Sequence, residues 1–258
     1  MERGLPRASL SGSALVECLA RWALLDGPAV KPSFVEGMGR WLGWTDAIAL
    51  SAALPLPMPA SAGEDSASTA PTHFVAAPAE REFARVRAAL VRAITDPGDT
   101  AVDRRRPAAQ PPAAAVTDET DFLPHRRHYT ALQQAMQAAI TPLRAQAREA
   151  VARRSPELSR LAAIDAVMDS VLGAREQALL ATMPSLLHKH FERLRQSHKV
   201  PALASGEGGA PDGTARPGPW LAVFRQDMQR LLLAELDLRL QPVQGLLEAA
   251  AQQTTRDP

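Results

Sequence analysis

The residues that could do chemistry in this chain are few, and their spacing argues against most chemistries. His125 and His128 are spaced i, i+3, which places both rings on one helical face, as a divalent cation would require. Arg126 and Arg127 lie between them and would repel such an ion, and no Glu-x-x-His partner accompanies the pair. His188 and His190 are spaced i, i+2 and diverge by about 100° per residue. Solvated surface histidines are expected at both places. Asp165 and Asp169 lie one turn apart, the arrangement of an acid–base or metal-binding pair, but both fall beside an apolar stripe, with Arg160 and Arg175 near in sequence. A solvated helix face is expected there. Cys18 is the only cysteine, which rules out an internal disulfide or a thiolate zinc cluster and fits a reducing compartment. Its neighbours Leu15, Val16 and Leu19 make it a small buried thiol. The sequence holds no phosphate loop, dinucleotide-binding glycine turn, H-E-x-x-H or G-x-S-x-G. It therefore predicts no catalytic residue, no cofactor and no metal site, and a protein that is not an enzyme.

Two features could instead serve binding. Trp22, Trp41 and Trp44 cluster in a chain with only 4% aromatics. The W-L-G-W run makes Trp41 and Trp44 candidate anchors for a protein partner, since tryptophan is enriched at binding hot spots. The favoured reading is that the same indoles form the core of a small unit with few large residues, because they lie next to stripe positions. The second feature is electrostatic. Formal net charge is +1, so no global field draws the chain to nucleic acid or membrane. Between Pro124 and Lys199, however, 12 basic residues face six acidic ones. Arg193, Arg195 and Lys199 are the candidate contacts to phosphate anions or nucleic acid. The stretch lacks the interleaved aromatics of a single-strand platform and the punctuation of a helix-turn-helix.

The elements that must position these residues are helical. The composition is rich in Ala, Leu, Arg and Gln and poor in β-branched and aromatic residues, and this argues against a sheet. The expected fold is all-α: a short N-terminal helical unit plus an elongated bundle of long, Pro-kinked helices, joined by disordered linkers. The expected boundaries are an N-terminal helical unit over 1–54, a linker over 55–77 and an isolated amphipathic helix over 78–96. A second linker covers 97–123, a central helical block 124–199 and a third linker 200–219. A long C-terminal helix over 220–252 packs on the central block. Leu15, Cys18, Leu19, Trp22 and Leu25 share one face of the first helix. A second helix begins after Lys31, and Thr45 caps a third. The clearest periodicities are Tyr129–Leu132–Met136–Ile140–Leu143–Ala147–Val151 and Leu221–Phe224–Met228–Leu231–Leu236–Leu240–Val243–Leu247. Ser155-Pro156-Glu157 reads as a helix start, followed by a stripe from Leu158 through Leu161, Ile164, Met168 and Val171. Pro142 and Pro242 bend their helices. No stripe keeps an a/d register long enough for an extended coiled coil. No stretch offers the roughly 18 uncharged apolar residues of a membrane span, and Glu17 and Arg21 interrupt any export signal.

The segments SALVECLARWALLD (Ser13 to Asp26), PSFVEGMGRWLGWTDAIALSAAL (Pro32 to Leu54) and AELDLRLQPVQGLLEA (Ala234 to Ala249), with the Arg-rich central helices, resemble a bacterial domain family of unknown function. The resemblance covers nearly the whole chain. That family has no established activity, so no functional residue carries over. Its members lie near genes for inner-membrane proteins resembling proton-driven motor channels and for peptidoglycan-binding outer-membrane-type proteins. The resemblance thus implies a cytoplasmic accessory of an envelope-associated complex, peripheral to the inner membrane through a partner. From the residues themselves, the expectation is a helical interaction or scaffold protein whose partner is another protein or a second copy, without direct membrane insertion. The alternative is a nucleic-acid-binding accessory protein using the basic helical face.

Overall fold

The computed structural model describes residues 14–22, 43–53, 76–96, 121–204 and 219–254. All regular structure among the described residues is helical: α1 (Ala14–Arg21), α2 (Trp44–Ala53), α3 (Ala76–Thr95), α4 (Leu123–Ala152), α5 (Pro156–Leu180), α6 (Met183–Ala204) and α7 (Pro219–Thr254). Trp41, Leu25, the helix expected after Lys31 and most of the three expected linkers lie outside these residues.

Local chemistry sets the helix starts. Ser155 is extended at φ −157° and its Oγ accepts the Leu158 N–H at 3.2 Å, while Pro156 occupies the first turn, where an N–H has no helical partner. Gln253 ties this start to α7, accepting from the Ser155 hydroxyl at 3.0 Å and donating to Glu157 at 2.7 Å. The α2 start differs from the expected Thr45 cap. The helix already begins at Trp44, and the Asp46 carboxylate reaches back to accept the Gly43 N–H at 2.9 Å. A carboxylate at the third helical position can satisfy a preceding amide that Thr45, already inside the helix, cannot. At α4, Asp121 accepts the Leu123 N–H at 2.9 Å. Pro142 and Pro242 lie inside continuous helices, where each ring removes the N–H that would have bonded Ala138 or Leu238.

The chain divides into two compact units. The first comprises residues 14–22, 94–96, 121–132, 184–204 and 219–238 of the described chain. Its centre is aromatic. Phe191 and Phe224 are fully buried and meet edge to face with centroids 4.9 Å apart, and Trp220 and Phe122 pack on Phe191 at 5.1 and 5.5 Å. Phe122 corrects the linker expected over 97–123, because its ring is buried and stacks on His188 at 4.6 Å. From α1, Leu15, Leu19 and Trp22 join this core, while Cys18 is only half-buried.

The second unit comprises residues 43–53, 76–93, 133–183 and 239–254. Among the described residues its buried side chains are Val86 and Leu90 of α3, Met136 to Val151 of α4, Met183 at the start of α6 and Leu240 to Ala250 of α7, all without rings. From α5 only Leu158, Ala162 and Leu180 are buried. The stripe expected from Leu161 to Val171 is half-buried.

Candidate interaction site

The residues of α2 make the most exposed apolar surface. Asp46 and Gly43 fix the helix start, and α2 packs against α5. The 3.6-residue period then puts Trp44 and Ile48 one above the other. Trp44 is 83% exposed and Ile48 56%. Ala47, Ser51 and Ala52 continue this uncharged exposed surface. Trp22, by contrast, is buried. The tryptophans thus divide, with one indole serving a core and Trp44 facing solvent.

The basic face of α6 is already engaged. The Arg193 guanidinium donates to the Trp22 carbonyl, holding the end of α1. Arg195 donates to Glu192 at 2.8 Å, and its Nε is buried without a hydrogen-bond partner. The side chain of Lys199 lies outside the described residues.

Two polar pairs are enclosed in the first unit. The Tyr129 hydroxyl donates to Glu235 Oε2 at 2.7 Å, with both residues fully buried. His190 Nε2 lies 2.9 Å from Asp227 Oδ2, and the imidazole stacks under Trp22 at 4.2 Å with 10° between the planes. His190 is therefore a core residue, against the expected surface position. Met183, Leu187 and Phe191 share its buried face at helical spacing, a signal that the i, i+2 comparison with His188 missed. His188 is exposed. His125 and His128 are half-buried. Burial pushes the His125 imidazole below its usual value of 6.5, helped by the positive charges of Arg225 and His128 and opposed by Asp121. Burial likewise lowers His128.

In the second unit the carboxylates Asp165 and Asp169 are not a solvated face. Arg144 and Arg148, one turn apart on α4, meet them across the helix pair, Arg144 and Asp165 lying nearly the same number of residues before and after the 153–155 turn. Arg144 reaches Asp165 at 2.6 Å and Asp169 at 2.7 Å; Arg148 reaches Asp165 at 2.6 Å and also pairs with Asp169. Burial alone would raise the Asp165 carboxyl, but the hydrogen bonds and charges of the two arginines outweigh it and hold the group below its usual range. The same bonds raise Arg148 against its own desolvation.

Beside this cluster runs a groove of about 500 Å³. Ala166, Ser170, Gly173 and Ala174 on α5 leave it empty of bulk, Arg144 and Arg148 wall it, and Ile140 and Pro242 give it apolar surface. Arg239, also at its edge, donates to Gln137 at 2.8 Å. Among the described residues no group of three or more His, Cys, Asp or Glu side chains is placed to hold a metal ion. No described helix is long and apolar enough to cross a membrane.

Residues 1–252 of the 258 match the family described as a protein of unknown function, DUF3348. The chain belongs to this family. The DUF3348 match takes in all of α1 to α6 and α7 to within its last two residues. No curated protein and no solved structure matches the chain. Membership of DUF3348 therefore agrees with the family resemblance read from the three segments and the Arg-rich central helices, and it assigns no activity to any residue.

Proposed function

We propose that this DUF3348 chain is a non-enzymatic helical interaction protein that docks another protein through the Trp44 face of α2. The observation that carries this reading is the exposure of Trp44 and Ile48, 83% and 56%, on a helix whose packing against α5 holds it in place. An indole and a branched aliphatic chain one turn apart, with no charge among their exposed neighbours, lose little on desolvation and supply the anchor type that dominates interface energies. The family resemblance supports a cytoplasmic site of action, beside an envelope complex and peripheral to the inner membrane through the partner.

The nucleic-acid reading has weaker support. Arg193 and Arg195 are spent on the Trp22 carbonyl and on Glu192. Phosphate binding would have to break those contacts or use other cations.

A native pull-down of the tagged protein from its own lysate, with and without nuclease, tests the two readings. A nuclease-resistant protein partner that disappears with Trp44→Glu is the expected result. Recovery that depends on nucleic acid, and survives Trp44→Glu, overturns it in favour of the basic face.

A further inference from the structure

Helix α1 is only eight residues long, and a helix this short is marginal in water on its own. Its order is owed to what it sits on. Leu15, Leu19 and Trp22 are buried at i, i+4 and i+7, while Val16, Glu17, Ala20 and Arg21 are exposed. That is the spacing by which a separate amphipathic helix anchors in a groove of another protein. We propose that the seat of α1 is a docking groove for a helix of a partner protein, and that α1 is its displaceable resident. The site lies in the first unit and does not depend on the reading of Trp44.

The seat recognises more than apolar area. The last carbonyls of a helix have no helical N–H to accept, and Arg193 of α6 donates to that of Trp22. Its positive charge also complements the negative end of α1. Beside it the Trp22 indole lies flat on the His190 imidazole, 4.2 Å away, and His190 Nε2 is in turn 2.9 Å from Asp227. These contacts fix direction as well as place. A ring must come last, with the C-terminal carbonyls of its helix turned to a guanidinium. The partner that fits is therefore a helix with aliphatic side chains at i and i+4 and an aromatic one at i+7, ending there.

The resident helix does not answer all of the polar groups around it. Among the described residues His190 Nδ1 and Arg195 Nε, both on α6, are buried without a hydrogen-bond partner. An unmet buried group favours any state in which it reaches water or a better partner. Three buried side chains and one clamped carbonyl must also keep the nine residues from Ala14 to Trp22 in order. An occupant held in this way exchanges more readily than α7, whose buried stripe runs from Leu221 to Ala250.

A labelled peptide of residues 13–23, carrying Cys18→Ser to prevent disulfides, tests the seat by fluorescence anisotropy against the full chain. Leu19→Asp unseats the chain's own α1 without altering α6 or α7. That variant should bind the peptide about tenfold or more tightly than the wild type, whose α1 competes from within. Adding Arg193→Ala should weaken the binding about tenfold, the usual effect of losing a hydrogen bond from a charged group. A scrambled peptide should not bind. Hydrogen exchange on the wild type keeps the test decisive should Leu19→Asp misfold. The amides of residues 18–22 should open independently of added urea, and those of 221–236 only with global unfolding. Peptide binding that is absent from a folded Leu19→Asp chain, or indifferent to Arg193→Ala or to scrambling, overturns the proposal. So does exchange in α1 that tracks 221–236. A wild-type dimer abolished by Leu19→Asp would give the seat to α1 of a second copy and overturn the partner reading.

Discussion

In the unit centred on Phe191 and Phe224, polar groups are buried among rings: the Tyr129 hydroxyl donates to Glu235, and His190 meets Asp227, which Arg230 also reaches, beneath Trp22. In the other unit the buried side chains among the described residues carry no rings, and charge gathers in a four-membered Arg–Asp cluster at the groove edge. The cluster keeps some contact with water, from 13% exposure at Asp165 to 39% at Asp169. The difference is one of burial. In the cluster each side chain has two partners, so losing one leaves the others paired. Truncating Glu235 instead removes the carboxylate to which the fully buried Tyr129 hydroxyl donates and opens a cavity.

The largest test of that contrast is a pair of truncations followed by urea denaturation. Glu235→Ala should cost about 3–5 kcal/mol, from the loss of a fully buried hydrogen bond to a carboxylate plus lost packing. Arg148→Ala should cost about 1–2 kcal/mol, because both aspartates keep Arg144 and water reaches the site. Equal losses would show that the two units handle polarity alike.

Acid should separate the units next. A histidine whose folded value lies below its unfolded one binds more protons unfolded, so stability falls as pH drops below about 6.5. His125 and His128 place that loss in the aromatic unit. Asp165, lowered from its usual 3.8, holds its contribution until the pH falls through its still lower folded value. Hydrogen exchange at pH 7 and pH 5, corrected for intrinsic rate, should show faster opening in residues 121–132 and 219–238 with little change around 144–169. Faster opening of 144–169 would reverse the assignment. The smallest effect is expected at Arg85, whose pairing with Glu82 is at the surface of α3. Arg85→Ala should leave the urea midpoint unmoved.

Much of this architecture was legible because helical periodicity reports burial directly. Every residue of the Tyr129–Val151 and Leu221–Leu247 stripes is buried, and Ser155 caps α5 as its sequence implies. Tertiary partners were harder to read. Asp165 and Asp169 were set against the neighbouring Arg160 and Arg175, whereas their partners Arg144 and Arg148 come from across a turn. On α5 the same step of three and four residues gave a stripe that packs only in part, because Ala166, Ser170, Gly173 and Ala174 line open space beside it. Phe122 was lost among linker residues, since one ring next to Asp121 carries no period. The exposed indole at Trp44 was named as a candidate anchor, but sequence alone could not separate its fate from that of Trp22.

That division of the tryptophans also furnishes an optical probe. Trp22, held face to face with an imidazole and by its carbonyl to Arg193, senses whether α1 remains seated. Trp44, bathed in solvent, senses whatever approaches α2. Replacing the other indoles by phenylalanine would leave a chain with a single emitter, shielded from a dissolved quencher in one version and open to it in the other. Detachment of α1 and arrival of a partner would then move the emission in opposite directions, so two events could be followed separately in the intact chain without an added dye.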